Sequence, residues 1–358
     1  MTADVTGGVP IRLAGYRDHF NALFADYFDA LAQQRPSRSV FVPEALELVR
    51  DMSLRGGKRL RVALLHEAAR LVTPDAVPGL DEAALSIELL QTHGLIHDDI
   101  IDDSPLRRGA PSVHHAYRSR YPDRPQTALG LAVLAGDLAA FLSVQVLLTA
   151  PVPAGLRQAM AAVQATAGAD TVIGQVLDLE RDFGPPPGRE ALDTVSDYKS
   201  ARYSILAPLR LGLLAAGEDP AAHDHELARY ARLVGVSGQM RDDYLDLFAD
   251  TAVTGKEAGS DLREGRRSYA VCAVLEATTG EERALVESAL AESGCTPETV
   301  ARIQDLARRH GVDERLRGDI RRSAEEAAAV AAGWRPRWRA EAVDFFRQLP
   351  LWASQHVG

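Results

Sequence analysis

Apolar residues that recur at intervals of three and four restrict the fold of this sequence more than any other feature. The run Leu85, Leu89, Thr92, Ile96 and Ile100 shows the pattern, and similar runs fill most of the 358 residues. This spacing gives an α-helix one apolar face, whereas a half-buried strand alternates apolar and polar residues. Ala, Leu, Arg and Glu are frequent, and strand signals are nearly absent. We therefore predict an all-α protein, a large bundle of roughly ten or more helices.

Short breaks separate the helical segments, and none is long enough to link two domains. They lie at residues 72–79, 121–125, 150–154, 184–188, 217–220, 254–260 and 294–297. We therefore predict a single domain across residues 1–358.

Composition and charge exclude several classes of partner. With 46% hydrophobic and 25% charged residues, the chain has the composition of a soluble globular protein. Its net charge of -10 repels polyanions, so we expect no nucleic-acid partner. The most apolar stretch, residues 129–150, contains Asp137 and Gln145, which favours a buried helix over a membrane span. Because the N-terminal sequence lacks a secretory pattern and the two cysteines fit no disulfide framework, we expect a cytoplasmic protein.

Two copies of the pattern Asp-Asp-x-x-Asp occur far apart, each inside apolar helical sequence. The first copy lies at residues 98–102 and the second at 242–246. On a helix, the first and last carboxylates of each copy share one face, and such like-charged pairs destabilise the helix by about 0.2–0.5 kcal/mol. Carboxylate oxygens one turn apart suit Mg²⁺, which prefers oxygen ligands and often binds substrate phosphate as well. We predict a site for Mg²⁺ and a diphosphate between the two helices.

Basic segments lie near the first acidic motif in this otherwise acidic chain. In RGGKRLR (residues 55–61), two glycines allow close approach of a ligand to the backbone, and three cations follow them. In RRG (residues 107–109), the guanidinium groups match diphosphate oxygens bidentately. These segments predict a direct anion site beside the metal site. The histidines at 97, 114 and 115 lack a sequence arrangement typical of zinc ligands, so we predict structural roles for them.

Together these motifs resemble those of the trans-isoprenyl diphosphate synthases, such as farnesyl and geranylgeranyl diphosphate synthases. The matching segments, within about residues 40–270, are GGKRLR (56–61), DDIIDDSPLRRG (98–109), GQVLD (174–178), YKS (198–200), GQMRDDYLD (238–246) and GKEAGSD (255–261). The resemblance implies the isoprenoid synthase fold, an all-α bundle around a central cavity, and usually a homodimer. It also implies that isopentenyl diphosphate condenses with an allylic diphosphate, with several Mg²⁺ ions as cofactors.

The resemblance further implies a role for individual residues. The Mg²⁺ ions would be bound by Asp98, Asp99, Asp102 and Asp242, with support from Asp243 and Asp246. The allylic diphosphate would contact Arg107, Lys199, Lys256 and Arg266, and isopentenyl diphosphate would contact Gly57, Lys58, Arg61, Gln91 and Arg108. The catalytic residues Lys199, Ser200 and Gln239 would stabilise positive charge on the allylic carbon. Metal ions and cations would make the diphosphate a good leaving group, after which the isopentenyl double bond attacks and a proton is lost.

Residues before the first acidic motif bear on product length. The growing tail would meet a floor made by Ile87, Leu90, His93 and Gly94. In farnesyl-producing relatives, bulky aromatic residues four and five positions before the first Asp stop growth, and here these positions hold Gly94 and His93. The sequence therefore favours geranylgeranyl over farnesyl diphosphate as the product, although Leu90 and Ile87 could close the floor one turn deeper.

Two other reactions stay open at this point. A class I terpene cyclase also uses an aspartate-rich helix with Mg²⁺, although its second metal motif normally mixes Asn or Asp with Ser or Thr and Glu. An unusual prenyl condensation, which joins two allylic units on the same fold, would need the same aspartates.

Overall fold

The computed structural model describes residues 8–34, 38–181, 183–248, 258–290 and 295–355, and it is helical through most of them. The helices of the first half are α1 (Val9–Gln34), α2 (Phe41–Leu54), α3 (Leu60–Val72), α4 (Leu80–Ile101), α5 (Val113–Arg120), α6 (Pro125–Leu148), α7 (Ala154–Glu180) and α8 (Arg189–Ser196). A π-helical segment (Asp197–Leu206) leads into α9 (Ala207–Ala215), a 3₁₀ turn (Pro220–His223) and α10 (Asp224–Phe248). The remaining helices are α11 (Ser260–Arg263), α12 (Tyr269–Ala277), α13 (Gly280–Ala289), α14 (Pro297–Arg309), α15 (Val312–Ala332) and α16 (Ala340–Gln355). The prediction of an all-α protein is confirmed.

One small hairpin interrupts the helical pattern within the described residues. Its strands, β1 (Leu106–Arg107) and β2 (Ala110–Pro111), pair antiparallel directly after α4. Arg108 and Gly109 form the turn with positive φ angles of 53° and 78°. The hairpin therefore turns the chain tightly just beyond the first acidic motif.

The chain divides into two compact units. Unit 1 comprises Met1–Ala169 and Ala207–Ala222, and unit 2 comprises Asp170–Leu206 and His223–Gly358. The single domain across residues 1–358 stays a prediction.

In unit 1, α4 packs along α6, and α3 packs along α9. Glycines let both pairs approach closely. A Cβ on Gly136 of α6 would lie 2.3 Å from Cδ2 of His97, and a Cβ on Gly212 of α9 would lie 2.2 Å from the Leu65 carbonyl oxygen. A larger residue at Gly212 would push α9 away from the α3 backbone, and one at Gly136 would displace the His97 side chain.

Within the described residues, α6 is the one helix long and apolar enough to cross a membrane. In its most apolar stretch, 44% of the residues are buried inside the protein. The helix packs against α2, α4 and α5 of unit 1. This packing favours the predicted core helix over a membrane span.

In unit 2, α10 is the central helix. It packs against α15, α12 and the π segment, and its apolar side chains belong to a buried core with those of α12 and α14. Residues of α10 in that core include Val236, Met240, Tyr244 and Leu247, which recur at intervals of three and four. Of the second acidic motif, Asp243 is buried beside this core, whereas Asp242 lies on the exposed side of α10.

Candidate active site

The first acidic motif lies at the C-terminal end of α4. Asp98 and Asp99 occupy its last turn, and Asp102 caps the helix, with its backbone N–H donating to the Asp98 carbonyl. The C-terminal end of a helix carries partial negative charge. Without a cation, the carboxylates there repel both one another and the end of the helix. The predicted metal ligands of unit 1 therefore stand where a cation would relieve both repulsions.

Arg107 supplies part of that positive charge. From β1, its Nε donates to Asp99 Oδ1 at 2.7 Å, and its Nη2 lies 3.5 Å from Asp98 Oδ2. Burial nevertheless raises the pKa of Asp99 above its usual range, and the nearby Asp98 and Asp102 act in the same direction. Asp99 Oδ2 is buried without a hydrogen-bond partner among the described residues. The arginine leaves part of the carboxylate charge unbalanced.

Arg108 brings the hairpin to the glycine-rich loop after α2. Its Nη1 donates to the carbonyls of Arg55 and Gly56 at 2.6 and 3.1 Å. A Cβ on Gly57, whose φ is +111°, would lie 3.4 Å from the Arg108 guanidinium. Burial and the positive charges of Arg59, Arg61 and Arg107 lower the pKa of Arg108. Such crowding of cations is stabilised by a bound anion.

The other predicted isopentenyl diphosphate residues lie around this loop in unit 1. Lys58 is exposed in the loop, Arg61 is in the first turn of α3, and Gln91 is buried on α4. Buried Arg59 donates to Glu88 of α4 at 2.6 Å, and Arg61 lies 4.0 Å from the same carboxylate. Glu88 therefore ties the start of α3 to α4. The sequence did not reveal this role of Glu88, because Arg59 and Glu88 are far apart in the chain.

The predicted chain-length residues follow α4 upstream of the first motif. Ile87 and Leu90 are buried, whereas His93 and Gly94 are half-buried. A Cβ on Gly94 would have nothing within 4 Å among the described residues. Burial lowers the pKa of His93, whose Nδ1 lies 3.1 Å from the Gly136 carbonyl oxygen. Position 94 thus has room for a larger side chain.

The second acidic motif lies near the C-terminal end of α10, in unit 2. Asp243 is buried, and its two oxygens accept hydrogen bonds from Gln239 Nε2 at 2.7 Å and from the Tyr269 backbone N–H at 2.8 Å. Burial is the main reason that the pKa of Asp243 rises to about 6, and the charge of Asp242 adds to it. Asp242 itself is exposed, 3.0 Å from Arg241. Asp243 therefore holds Gln239 in place, and Asp242 is the accessible carboxylate.

The carboxylate of Asp246 is hydrogen-bonded to the first residues of α11. It accepts hydrogen bonds from the Ser260 hydroxyl and from the Asp261 backbone N–H, the latter at 3.0 Å. Burial and the charges of Asp243 and Asp246 raise the pKa of Asp261 to about 8. Asp261 is thus a further carboxylate of this cluster; it belongs to the matching segment 255–261, but no role was predicted for it. Only the fold places it beside Asp243, so the signal was not local.

The predicted catalytic residues share a small pocket of unit 2. Its volume is about 80 Å³, and its polar lining includes Lys199, Ser200, Gln239, Asp243, Asp261 and Arg266. The Lys199 Nζ donates to Asp178 Oδ2 at 2.6 Å, and Asp178 also pairs with Arg181. Arg266 pairs with Glu264 at 2.8 Å. Lys256, the remaining predicted ligand of the allylic diphosphate, lies outside the described residues.

Two glycines explain how Lys199 and Ser200 are positioned. Both residues lie in the π segment, a wide helical turn that is rare and often found at functional sites. A Cβ on Gly174 of α7 would lie 2.2 Å from the Lys199 backbone nitrogen, and a Cβ on Gly235 of α10 would lie 2.3 Å from Ala201 Cβ. Backbones on both sides thus hold the π segment. Asp178 and Gln239 follow these glycines one helical turn later, which directs them toward the pocket.

We predicted structural roles for His97, His114 and His115, but in the structure each lies close to a carboxylate. His97 lies close to His93 and Asp137, and His114 and His115 lie close to Asp103. In each set, one nitrogen or carboxylate oxygen per residue lies within 4.8 Å of the others. The carboxylates come from other helices or turns, so the sequence spacing did not reveal them.

The donor groups in each unit fit a divalent cation and a diphosphate. Unit 1 has a buried, unpartnered oxygen on Asp99 beside crowded arginines, and unit 2 has Asp243 and Asp261 with raised pKa values. Buried carboxylates of this kind are costly unless a cation balances them. Oxygen-only donor sets suit Mg²⁺ rather than softer metals.

Comparison with known proteins identifies the family. The polyprenyl synthetase family model matches residues 43–307. The chain is 31% identical to farnesyl diphosphate synthase of Escherichia coli (strain K12) over 68% of its length and 80% of the relative, and 31% identical to geranylgeranyl diphosphate synthase of Sulfolobus acidocaldarius over 76% and 79%. The structure matches that of a Corynebacterium glutamicum geranylgeranyl pyrophosphate synthase, complexed with isoprenyl diphosphate and magnesium, with a TM-score of 0.86, 27% identity, and coverage of 95% of this chain and 98% of that one. The predicted resemblance and isoprenoid synthase fold are confirmed, and the chain belongs to the polyprenyl synthetase family of prenyltransferases.

Proposed function

We propose that this protein is a Mg²⁺-dependent short-chain trans-prenyltransferase that condenses isopentenyl diphosphate with an allylic diphosphate. The observation that carries the proposal is that clustered carboxylates and crowded arginines lie side by side within unit 1. There the carboxylates of Asp98 and Asp99 end a helix beside arginines whose crowding lowers the pKa of Arg108. A metal ion balances the first group, and a diphosphate balances the second.

The residues of unit 2 support the chemistry of ionisation. Mg²⁺, when bound by the aspartates, supplies charge that helps the allylic diphosphate to leave. Lys199, held by Asp178, adds a hydrogen-bond donor for the departing oxygen. The amide nitrogen of Gln239 donates to Asp243, so its carbonyl oxygen is the atom available to face a positively charged carbon. Ser200 lines the same pocket and offers a second lone-pair oxygen.

The direct test is a turnover assay with defined substrates. Purified protein, Mg²⁺ and isopentenyl diphosphate are mixed with dimethylallyl, geranyl or farnesyl diphosphate separately, and the dephosphorylated alcohols are identified. We expect consumption of isopentenyl diphosphate and a ladder of longer alcohols. Hydrocarbon formed from the allylic substrate alone would indicate a terpene cyclase, and joined allylic units would indicate an unusual condensation; either result would contradict the proposal.

We further propose geranylgeranyl diphosphate rather than farnesyl diphosphate as the main product. Gly94 supports this proposal, because a Cβ there meets no described atom within 4 Å and leaves one wall of the tail path open. Gly94→Phe should shorten the product to farnesyl diphosphate. Gly318→Phe on α15, which also starts from open space, is the matched control and should leave the product length unchanged. An unchanged product in Gly94→Phe would place the floor elsewhere on α4.

We also infer a cytoplasmic homodimer. Leu134, Phe141 and Leu148 lie seven residues apart on α6, and their side chains are 62%, 77% and 53% exposed. Their spacing places them on one face, and an exposed apolar face of this kind favours association. Light scattering should give twice the chain mass, and Phe141→Asp should reduce it to one chain mass. A monomeric parent protein would refute the dimer, and recovery of the tagged full chain with membranes would refute the location.

A further inference from the structure

A cluster of two histidines and one aspartate in unit 1 includes His93, a residue of the predicted chain-length floor, together with His97 and Asp137, to which the proposed condensation gives no role. His93 and His97 lie four residues apart on α4, and Asp137 lies on α6. One ligand atom from each lies within 4.8 Å of the others, and the rings of His93 and His97 are 4.6 Å apart. Two histidines at this helical spacing present their rings on one face, as in known zinc motifs.

The hydrogen bonds of the cluster leave its nitrogens ready to bind a metal. His93 Nδ1 lies 3.1 Å from the Gly136 carbonyl oxygen, so Nδ1 carries the hydrogen and Nε2 keeps its lone pair. Histidines that bind metals are usually fixed by such a bond to a carbonyl, which orients the ring. His97 Nε2 is buried and makes no hydrogen bond within the described part of the chain.

The distance from His97 to Asp137 also fits a metal better than a hydrogen bond. His97 Nε2 lies 3.3 Å from Asp137 Oδ1. Two ligands at about 2.0–2.1 Å from a tetrahedral zinc ion are separated by roughly 3.3 Å. Gly136 makes this arrangement possible, because a Cβ there would lie 2.4 Å from His97 Nε2.

We propose that His93, His97 and Asp137 form a second metal site, selective for a divalent transition metal such as Zn²⁺ and separate from the aspartates of the two acidic motifs. Three protein ligands leave a fourth position for water. Two imidazoles favour Zn²⁺, Co²⁺ or Ni²⁺ over Mg²⁺, which prefers oxygen ligands. The other cluster is a poorer candidate, because Arg118 Nη2 lies 3.0 Å from Asp103 and 2.8 Å from His114 and already supplies the positive charge.

The test is a Co²⁺ titration of the full chain in excess Mg²⁺, followed by visible absorption. Excess Mg²⁺ occupies the aspartate motifs, and Co²⁺ bound by imidazoles in a four- or five-coordinate site absorbs strongly. We expect one equivalent of Co²⁺ to bind, and we expect His97→Gln and Asp137→Asn each to weaken binding by roughly tenfold or more. His115→Gln, from the cluster that holds Arg118, is the matched control and should bind as the parent does.

Two further measurements keep the result unambiguous. Circular dichroism and light scattering of metal-free variants establish that fold and assembly are retained. Asp98→Ala should keep the Co²⁺ site, since Asp98 belongs to the first acidic motif. Undetectable Co²⁺ binding by the parent protein, equal affinity in folded His97→Gln, or loss of the signal in Asp98→Ala alone would each overturn the proposal. The turnover assay is independent of these outcomes, so failure here leaves the proposed condensation unaffected.

Discussion

Replacing Gly174 by Ala tests whether close backbone packing positions Lys199. The new Cβ would lie 2.2 Å from the Lys199 nitrogen and 2.5 Å from its Cα, and backbone atoms cannot rotate away. Because ordinary contact begins near 3.4 Å, α7 and the π segment must separate by about 1 Å, the difference between 2.2 and 3.4 Å. The 2.6 Å bond from Lys199 to Asp178 would lengthen accordingly.

The expected loss is larger in activity than in stability. Overpacking costs about 1–3 kcal/mol, and the better helix propensity of Ala returns about 1 kcal/mol, so the net cost is about 0–2 kcal/mol. A displacement of about 1 Å at a catalytic group lowers the rate on the order of 100-fold. We would measure kcat for isopentenyl diphosphate incorporation and the midpoint of urea unfolding.

A matched glycine provides the control. Gly318 of α15 has open space around its would-be Cβ, so Gly318→Ala should keep kcat and raise stability by up to about 1 kcal/mol. A Gly174→Ala protein with the kcat of the parent would refute the positioning argument, and a loss of kcat in both variants would assign the effect to helix rigidity instead.

Three further predictions address charge and metal. Asp98→Ala and Asp242→Ala should abolish turnover without lowering the unfolding temperature, because each removes a like charge near a helix C-terminus; an active Asp98→Ala would refute its metal role. Chelation should stop turnover, and added Mg²⁺ should restore it; turnover that persists in a metal-free preparation would contradict Mg²⁺ dependence. Burial lowers the pKa of His66 to about 4 from an ordinary 6.5, so the unfolded chain takes up a proton first and stability should fall as pH decreases from about 6.5 to 4. His66→Gln should lose less unfolding temperature between pH 7 and pH 5 than the parent does, while exposed His225→Gln should follow the parent; equal slopes in all three would remove His66 as the cause.

Helix positions and their breaks were predictable because they depend on local spacing. The predicted break at residues 72–79 lies between the end of α3 at Val72 and the start of α4 at Leu80. The two acidic motifs were also visible, since each is a short run within one helix. Such features need only propensity and periodicity, which the sequence displays directly.

Features that depend on distant partners were not predictable. Asp261 lies beside the second motif because α11 begins there, and the Asp261 backbone N–H donates a hydrogen bond to the Asp246 carboxylate. The π segment has an ordinary helical composition, and its wide turn is held by glycines on α7 and α10. His97 and Asp137 are 40 positions apart in the sequence and meet only where α4 and α6 pack. These cases require tertiary contacts that no local pattern encodes.

The π segment also has a consequence for how this protein tolerates changes in length. A wide turn accommodates one more residue per turn than an α-helix does, so deleting a single residue between Asp197 and Leu206 would let the segment relax into a regular α-helix. The backbone of the relaxed helix would be unstrained. Lys199 and Ser200 would nevertheless rotate about the helix axis and no longer face Asp178 and Gln239. A one-residue deletion here would therefore give a well-folded but inactive protein.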